Sequence, residues 1–159
     1  ENRTRLLFEV TSAVAEAIGA ARTGVRLSPV TPVNDAHDSD PQPLFNRAVE
    51  RLDSIEGLAF IHVIEGATGG DRDNIAFDYA ALRARFRGPW IANNGYDVDS
   101  AEHAVASGYA DMVAFGRAFI ANPDLVARLR SGAALAELDP ATLYGGGEHG
   151  YTDYPALGA

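Results

Sequence analysis

Residues 111–125 read DMVAFGRAFIANPDL, and the order of residue types in that stretch sets the fold class. Met112 to Phe115 is a short apolar run of the kind that makes a buried strand. Gly116 and Arg117 follow, a turn and a cation. Ala118 to Ala121 is predicted to form a short extra turn of helix, and Asn122-Pro123-Asp124 to start the main one, with Asn122 as its cap and Pro123 at its first position. A strand leaving the core therefore delivers a glycine and an arginine to one spot just ahead of helical backbone. Glycine lets backbone N–H groups approach an anion closely because no Cβ intervenes. Arg117 can add a bidentate, charge-assisted pair to phosphate oxygens. The free N–H groups and positive end of a helix act in the same sense. Gly116 and Arg117 are read as a phosphate site; a plain strand-end turn beside a solvated arginine is the alternative.

Working back toward the amino terminus, the same grammar repeats. Leu7, Val10, Val14 and Ile18 recur at helical spacing and mark one face of a first helix. Val25 to Pro29 reads as a short strand, and Thr31 to Pro43 as a polar, proline-rich loop. A second helix carries Leu44, Phe45, Ala48, Val49 and Leu52 and stops at Gly57. Leu58 to Ile64 is continuously apolar, the pattern of a strand buried on both faces. After the Gly/Asp loop Glu65 to Asn74, Tyr79, Leu82 and Phe86 mark a third helix. Trp90 to Ala92 is a strand, Asn93-Asn94-Gly95 a turn, and Asp99 the expected cap of a helix closed by Gly108. Strict alternation of strand and helix implies parallel strands with right-handed crossovers. The strands are expected to start near residues 25, 58, 90 and 112, and the first two spacings match the roughly 31 residues per unit of an eight-fold barrel. The chain is thus half of such a barrel, or else a small doubly wound open sheet.

Composition narrows the function. The chain has 159 residues, 47% of them hydrophobic, which suits one domain with a real core. Twenty-two acidic against 13 basic side chains leave a formal net charge of −9, which argues against a nucleic-acid partner but not against a small phosphorylated ligand. Cysteine is absent, so thiolate metal sites, disulfides and a cysteine nucleophile are excluded. No apolar run approaches the roughly 18 residues of a membrane span, and no secretory signal opens the chain. A cytoplasmic protein is expected, without a membrane partner. Because the sequence opens directly in a running helix, it is expected to be part of a longer polypeptide.

In parallel α/β folds the residues after each strand meet the ligand. Asn94 and Gly95 stand after the third strand, as Gly116 and Arg117 stand after the fourth. Arg26 lies between Val25 and Leu27 in the first strand, where its charge must meet a carboxylate partner or an electron-rich ligand. His62, inside the second strand, reads as a hydrogen-bonded core residue rather than a catalyst. No two histidines share a metal-ligand spacing. The run Gly145-Gly146-Gly147 follows no strand and reads as a flexible segment. Tyr144, Tyr151 and Tyr154 need a surface to pack on.

Four blocks, ENRTRLL at the start, GVRLSP, AFGRAFIANPDL and the terminal YGGGEHGYTDYP, together resemble the second half of the old yellow enzyme family, flavin-dependent ene-reductases, and most of all its N-ethylmaleimide reductase branch. The resemblance covers essentially the whole chain. It implies an α/β fold: half of a TIM (β/α)8 barrel, strands five to eight, spanning residues 1–159, with residues 140–159 a Gly/Tyr-rich tail at the barrel mouth. It implies FMN bound without a covalent link, with NADPH or NADH as hydride donor. Gly116 and Arg117 then match the pair that holds the FMN phosphate, and Asn94 and Gly95 the turn on its other side. Arg26 matches the arginine at the pyrimidine edge of the flavin, and Tyr144 an aromatic near the substrate cavity. The family's proton donor and carbonyl-binding pair belong to its first half, so no catalytic residue is assigned here. The implied partners are an N-terminal half-barrel, as a separate chain or a missing segment, and a small activated alkene. Two rivals stand beside this reading: a phosphate-binding barrel enzyme without flavin, and a non-catalytic half-barrel module. The chain has no lysine, so it cannot itself run Schiff-base chemistry.

Overall fold

Each apolar run expected to be a strand is one, with its ends shifted by no more than two residues. The computed structural model describes residues 2–68, 70–73, 75–145 and 147–158. Gly69 and Asn74 of the Gly/Asp loop, and Gly146 of the glycine run in the tail, lie outside them. The helices are α1 (Arg5–Ile18), α2 (Pro41–Asp53), α3 (Tyr79–Arg83), α4 (Val98–Ala106), α5 (Arg117–Ala121) and α6 (Leu125–Ser131), and the strands β1 (Gly24–Leu27), β2 (Phe60–Ile64), β3 (Trp90–Asn93) and β4 (Met112–Ala114). They fall into two compact units, Glu1–Ala114 and Phe115–Ala159.

The first unit holds a parallel four-stranded sheet in the order β1-β2-β3-β4. Such a sequential order is the one expected of a barrel. Right-handed crossovers between strands that never change direction of travel lay every helix on the same face, whereas a doubly wound sheet reverses at a switch point. This sheet is wound in the manner of a barrel. In register, Arg26 stands beside His62, His62 beside Ile91 and Ile91 beside Met112. The alternate residues Leu27, Ile61, Val63, Trp90 and Ala92 face the helices and form a core with Val49 and Leu52 of α2 and Leu82 of α3. The opposite face is open: Phe60, His62 and Ile91 are only half-buried, Arg26 is exposed, and Met112 is 45% exposed. Burial of β2 on both faces, expected from its unbroken apolar run, is met only at its carboxyl end, where Ile64 is buried beside Val63, and not at Phe60 or His62. Helices cover one side only, so the period-two alternation of the pleat shows as alternating burial.

Helix α1 departs from its expected face as well. Val10, Val14 and Ile18 are 40–53% exposed and Leu6 72%, while Thr11 and Ala15 are buried. The row Leu7, Thr11 and Ala15, one turn apart, points inward, and the Thr11 hydroxyl is satisfied by the Leu7 carbonyl at 2.7 Å. The larger apolar row is left on the outside.

Two caps also fall elsewhere than expected. Asp97, not Asp99, caps α4, accepting from the Ser100 amide at 2.9 Å while the Ser100 hydroxyl receives the Asp97 amide at 3.0 Å. In the second unit, Asp124 stands at the start of α6, and Asn122 instead ends α5. Asn122 is 1% exposed and ties α5 to the chain beyond α6, donating to the Ala118 and Ala136 carbonyls at 2.8 and 3.2 Å and accepting from the Ala136 amide at 2.7 Å. A side chain with three good internal partners gains more there than at an exposed cap. Among the described residues no helix is long and apolar enough to cross a membrane.

Candidate functional site

Three polar groups meet on the open face of the sheet. Arg26 leaves β1 on that face, and its Nη2 donates to Asn93 Oδ1 at 3.3 Å. Asn93, the last residue of β3, in turn donates through Nδ2 to the Ala114 carbonyl of β4 at 2.6 Å. The amide thus bridges β4 to the guanidinium of β1. Among the described residues the partner of Arg26 is a neutral amide and not a carboxylate, which leaves its positive charge available to a ligand. Sequence reasoning placed Asn93 only in a turn and assigned it no part.

His62 neighbours Arg26 in register. Burial lowers its pKa below the ordinary histidine value and the charge of Arg26 adds to the effect, so the ring is held neutral. Its Nε2 is buried and meets no hydrogen-bond partner among the described residues. The hydrogen-bonded core role expected for His62 is thus not met at that nitrogen. A buried polar atom without a partner is rare in a finished interior, and this one lies on the uncovered face.

The carboxyl ends of β2 and β3 are joined by a second cluster, which sequence reading passed over as a Gly/Asp loop. Glu65 follows β2 and is fully buried. Its Oε2 receives the Arg72 guanidinium and the Tyr96 hydroxyl, the latter at 2.9 Å, and its Oε1 the Tyr109 hydroxyl at 2.5 Å. Arg72 also donates to the Tyr96 oxygen at 3.0 Å and lies 4.3 Å from the centre of that ring. Burial, and then the Glu65 charge, raise the pKa of Tyr96; burial, and then the hydrogen bond to Glu65, raise that of Tyr109. Both phenols stay protonated as donors. For Arg72 burial works against the charge, but Glu65 and Tyr96 outweigh it and the guanidinium pKa rises. The signal that could have found this cluster was a glutamate at the end of an apolar strand, a residue almost never buried unless paired.

The turn after β3 rests on the same cluster. Asn94 and Gly95 both have positive φ, 90° and 69°. The Asn94 side chain is committed internally, donating to the Glu65 and Ala67 carbonyls at 2.6 and 2.9 Å. That leaves only the backbone of Asn94 to meet an outside group. Among the described residues no acceptor meets the backbone N–H of Asn94 or Gly95.

The second unit carries the remaining sequence-derived positions. Gly116 precedes α5 and Arg117 is its first residue, so the extra helical turn begins one residue earlier than expected. Arg117 is exposed. Tyr144 is 99% exposed, and the Tyr154 hydroxyl accepts from the Asp139 amide at 3.0 Å. Arg128 anchors this unit, reaching Asp124 Oδ1 at 2.7 Å and the Ala134 and Pro155 carbonyls at 2.8 and 2.9 Å.

A cleft of about 800 Å³ lies at the opposite, amino-terminal end of the sheet, between Ile55–Ala59 and Phe86–Pro89. Its wall carries the salt-bridged pair Arg87 and Asp53, 2.9 Å apart. The Glu65 cluster and the Asn94–Gly95 turn sit instead at the carboxyl ends of the strands, where parallel α/β folds generally meet their ligands. Among the described residues no cluster of His, Asp and Glu could hold a metal ion.

A surface that offers an exposed cation and, among the described residues, a buried imidazole nitrogen and two backbone N–H groups without an acceptor fits a planar, hydrogen-bonding, anionic cofactor better than an apolar ligand. Comparison with known proteins agrees. Residues 1–136 match the NADH:flavin oxidoreductase / NADH oxidase family. The chain belongs to that family. It is 42% identical to 12-oxophytodienoate reductase 1 of rice (Oryza sativa subsp. japonica) over 99% of its own length and 42% of the rice protein. It superposes with a TM-score of 0.92 on the old yellow enzyme homologue of Zymomonas mobilis, at 40% identity over 99% of this chain and 44% of that one. Morphinone reductase in complex with tetrahydroNAD matches at 0.88, with 43% identity over 99% of this chain and 42% of that one. The chain thus spans less than half the length of these relatives.

Proposed function

We propose that this chain is the carboxy-terminal half of a flavin-binding barrel whose complete form reduces activated alkenes. The single observation that carries this reading is the open, helix-free face of the sheet, with the charge of Arg26 and the orphaned nitrogen of His62 set into it. A barrel interior looks like this when its other strands are supplied from elsewhere. An amino-terminal half, as a separate chain or as the rest of a longer one, would pair the outer edge of β1, cover Met112, Ile91 and Phe60, and pack on the apolar row of α1.

In the completed barrel, Arg26 serves the pyrimidine edge of FMN, held in place by Asn93. The backbone amides of Asn94 and Gly95, and Gly116 with Arg117, serve the phosphate. Tyr144 borders the substrate cavity, in a tail of residues 140–159 at the mouth. FMN held there would supply the redox chemistry, with NADPH or NADH as hydride source and the β-carbon of an alkene conjugated to a carbonyl or nitro group as hydride acceptor. The residues of this half bind and orient the cofactor and fix a positive charge beside the ring edge that becomes electron-rich on reduction. None of them transfers the proton to substrate, a role left to the other half.

The test is to co-express this chain with the amino-terminal half of a family relative, purify through a tag on this chain, and measure bound flavin and enone-dependent NADPH or NADH oxidation. A yellow, active complex is expected. Removing one charged phosphate contact with Arg117→Ala should weaken FMN binding by about ten- to a hundredfold, the worth of a hydrogen bond to a charged group. A colourless but folded complex, or an Arg117→Ala variant that binds FMN unchanged, refutes the assignment. An active colourless complex would favour a barrel enzyme without flavin.

A further inference from the structure

We infer that the ion pair between buried Glu65 and half-buried Arg72 positions the Asn94–Gly95 turn for phosphate, so that Glu65 governs how well this half recognises the phosphorylated end of its cofactor. The inference rests on the proposed flavin reading and deepens it. The mechanical connection is continuous. Glu65 is joined to β3 by its own backbone, its N–H donating to the Asn93 carbonyl at 3.0 Å, and its carbonyl receives Asn94 Nδ2. Its carboxylate holds Arg72. The methylene stem of Arg72 runs directly beneath Gly95: a Cβ on that glycine would lie 2.9 Å from Arg72 Cδ and 3.2 Å from Cγ. The turn thus sits on the arginine, and the arginine is held by the glutamate.

The rest of the network serves to keep the glutamate in place. Tyr109, just before β4, occupies Oε1, and Tyr96, just beyond the turn, shares Oε2 with Arg72. The loop that carries Arg72 is itself braced. The Gly66 amide donates to the Tyr79 hydroxyl at 2.6 Å, the Thr31 hydroxyl donates to the Gly66 carbonyl at 2.8 Å, and the Ala67 amide donates to the Asp71 carbonyl at 2.9 Å. Both carboxylate oxygens are engaged, and with Glu65 fully buried the pair favours one geometry, because withdrawing the half-buried Arg72 would leave the glutamate charge buried and unpaired. Glu65 never reaches the ligand. It is a positioning residue, and it acts on two backbone N–H groups that no side-chain substitution at Asn94 could delete.

The experiment compares FMN with riboflavin, which differ only in the phosphate, by flavin fluorescence titration of the complete protein, this chain together with its amino-terminal half. The wild type is expected to prefer FMN. Glu65→Gln keeps the shape but removes the charge that holds Arg72, and should weaken FMN binding about tenfold while riboflavin affinity stays within about twofold. Tyr109→Phe removes one donor without stranding a charge, so it serves if Glu65→Gln fails to fold. It should lower the FMN-to-riboflavin preference in the same direction by about two- to threefold. Equal loss of both ligands in these variants, or no loss of either, overturns the positioning role while the flavin reading stands. A wild type that binds neither flavin overturns both.

Discussion

Gly66 and Gly57 offer a matched test of the loop after β2. Both lie in the left-handed region, at φ 74° and 75°, so an alanine at either position carries the same backbone cost, about 1–2 kcal/mol. Their surroundings differ. A Cβ at Gly57 would meet nothing within 4 Å, whereas one at Gly66 would fall onto the backbone of Arg72 and within 2.5 Å of the Asp71 and Arg72 carbonyl oxygens. Backbone cannot rotate aside as a side chain can. The loop must move, and the hydrogen bonds at risk are those from the Gly66 amide to Tyr79, from the Ala67 amide to Asp71 and from Asn94 Nδ2 to Ala67. At about 1 kcal/mol for each bond, Gly66→Ala should cost about 2–3 kcal/mol more than Gly57→Ala. In a urea titration with a slope near 2 kcal/mol per molar, that difference separates the two midpoints by about 1–1.5 M. Equal midpoints for the two variants would show that the loop is not pinned beneath Arg72, and the positioning role of Glu65 would lose its mechanical basis.

Arg26→Gln should weaken flavin binding by about tenfold, the effect of removing one charge-assisted contact. Asn93→Ala, which frees the same guanidinium without removing it, should weaken binding less; fluorescence titration of both variants checks the order. The lowered pKa of His62 means that the unfolded chain takes up its proton first. The stability it contributes is present above about pH 6.5 and is lost as pH falls through the depressed folded value. Thermal melts between pH 7.5 and 5 should therefore fall more steeply for the wild type than for His62→Gln. Asn122→Ala strands the Ala136 amide and two carbonyls in a buried site, at a cost of about 2–3 kcal/mol. It should open the Phe115–Ala159 unit to limited proteolysis before the sheet unit.

Much of this protein was legible in its residues. The apolar runs located every strand to within two residues, because a strand buried on at least one face needs a run of side chains that no loop tolerates. The spacing of those runs and the glycine-containing turns after β3 and β4 pointed to carboxyl-end chemistry, and the motif blocks pointed to the family. Caps and faces were harder to read. Asn122 and Asp124 both have capping chemistry, as do Asp97 and Asp99, and the choice within each pair fell to whichever side chain found more partners inside. The run Leu58 to Ile64 declared itself buried on both faces, and in this chain only its carboxyl end is.

What sequence determined by itself was local: where the chain goes straight, where it coils, and which residues stand at the carboxyl ends of strands. Those properties depend on neighbours a few positions away. The tertiary structure decided three matters that depend on pairs far apart in the chain. Sequential strand order set the four strands side by side in parallel, with the α2 and α3 core on one face of the sheet. Asn93 was made the partner of Arg26 across the width of that sheet. Glu65, Arg72, Tyr96 and Tyr109 were gathered from three loops into one buried cluster. A buried charge is stable only where its partners converge, and only the fold brings residues 65 and 109 within a hydrogen bond of each other.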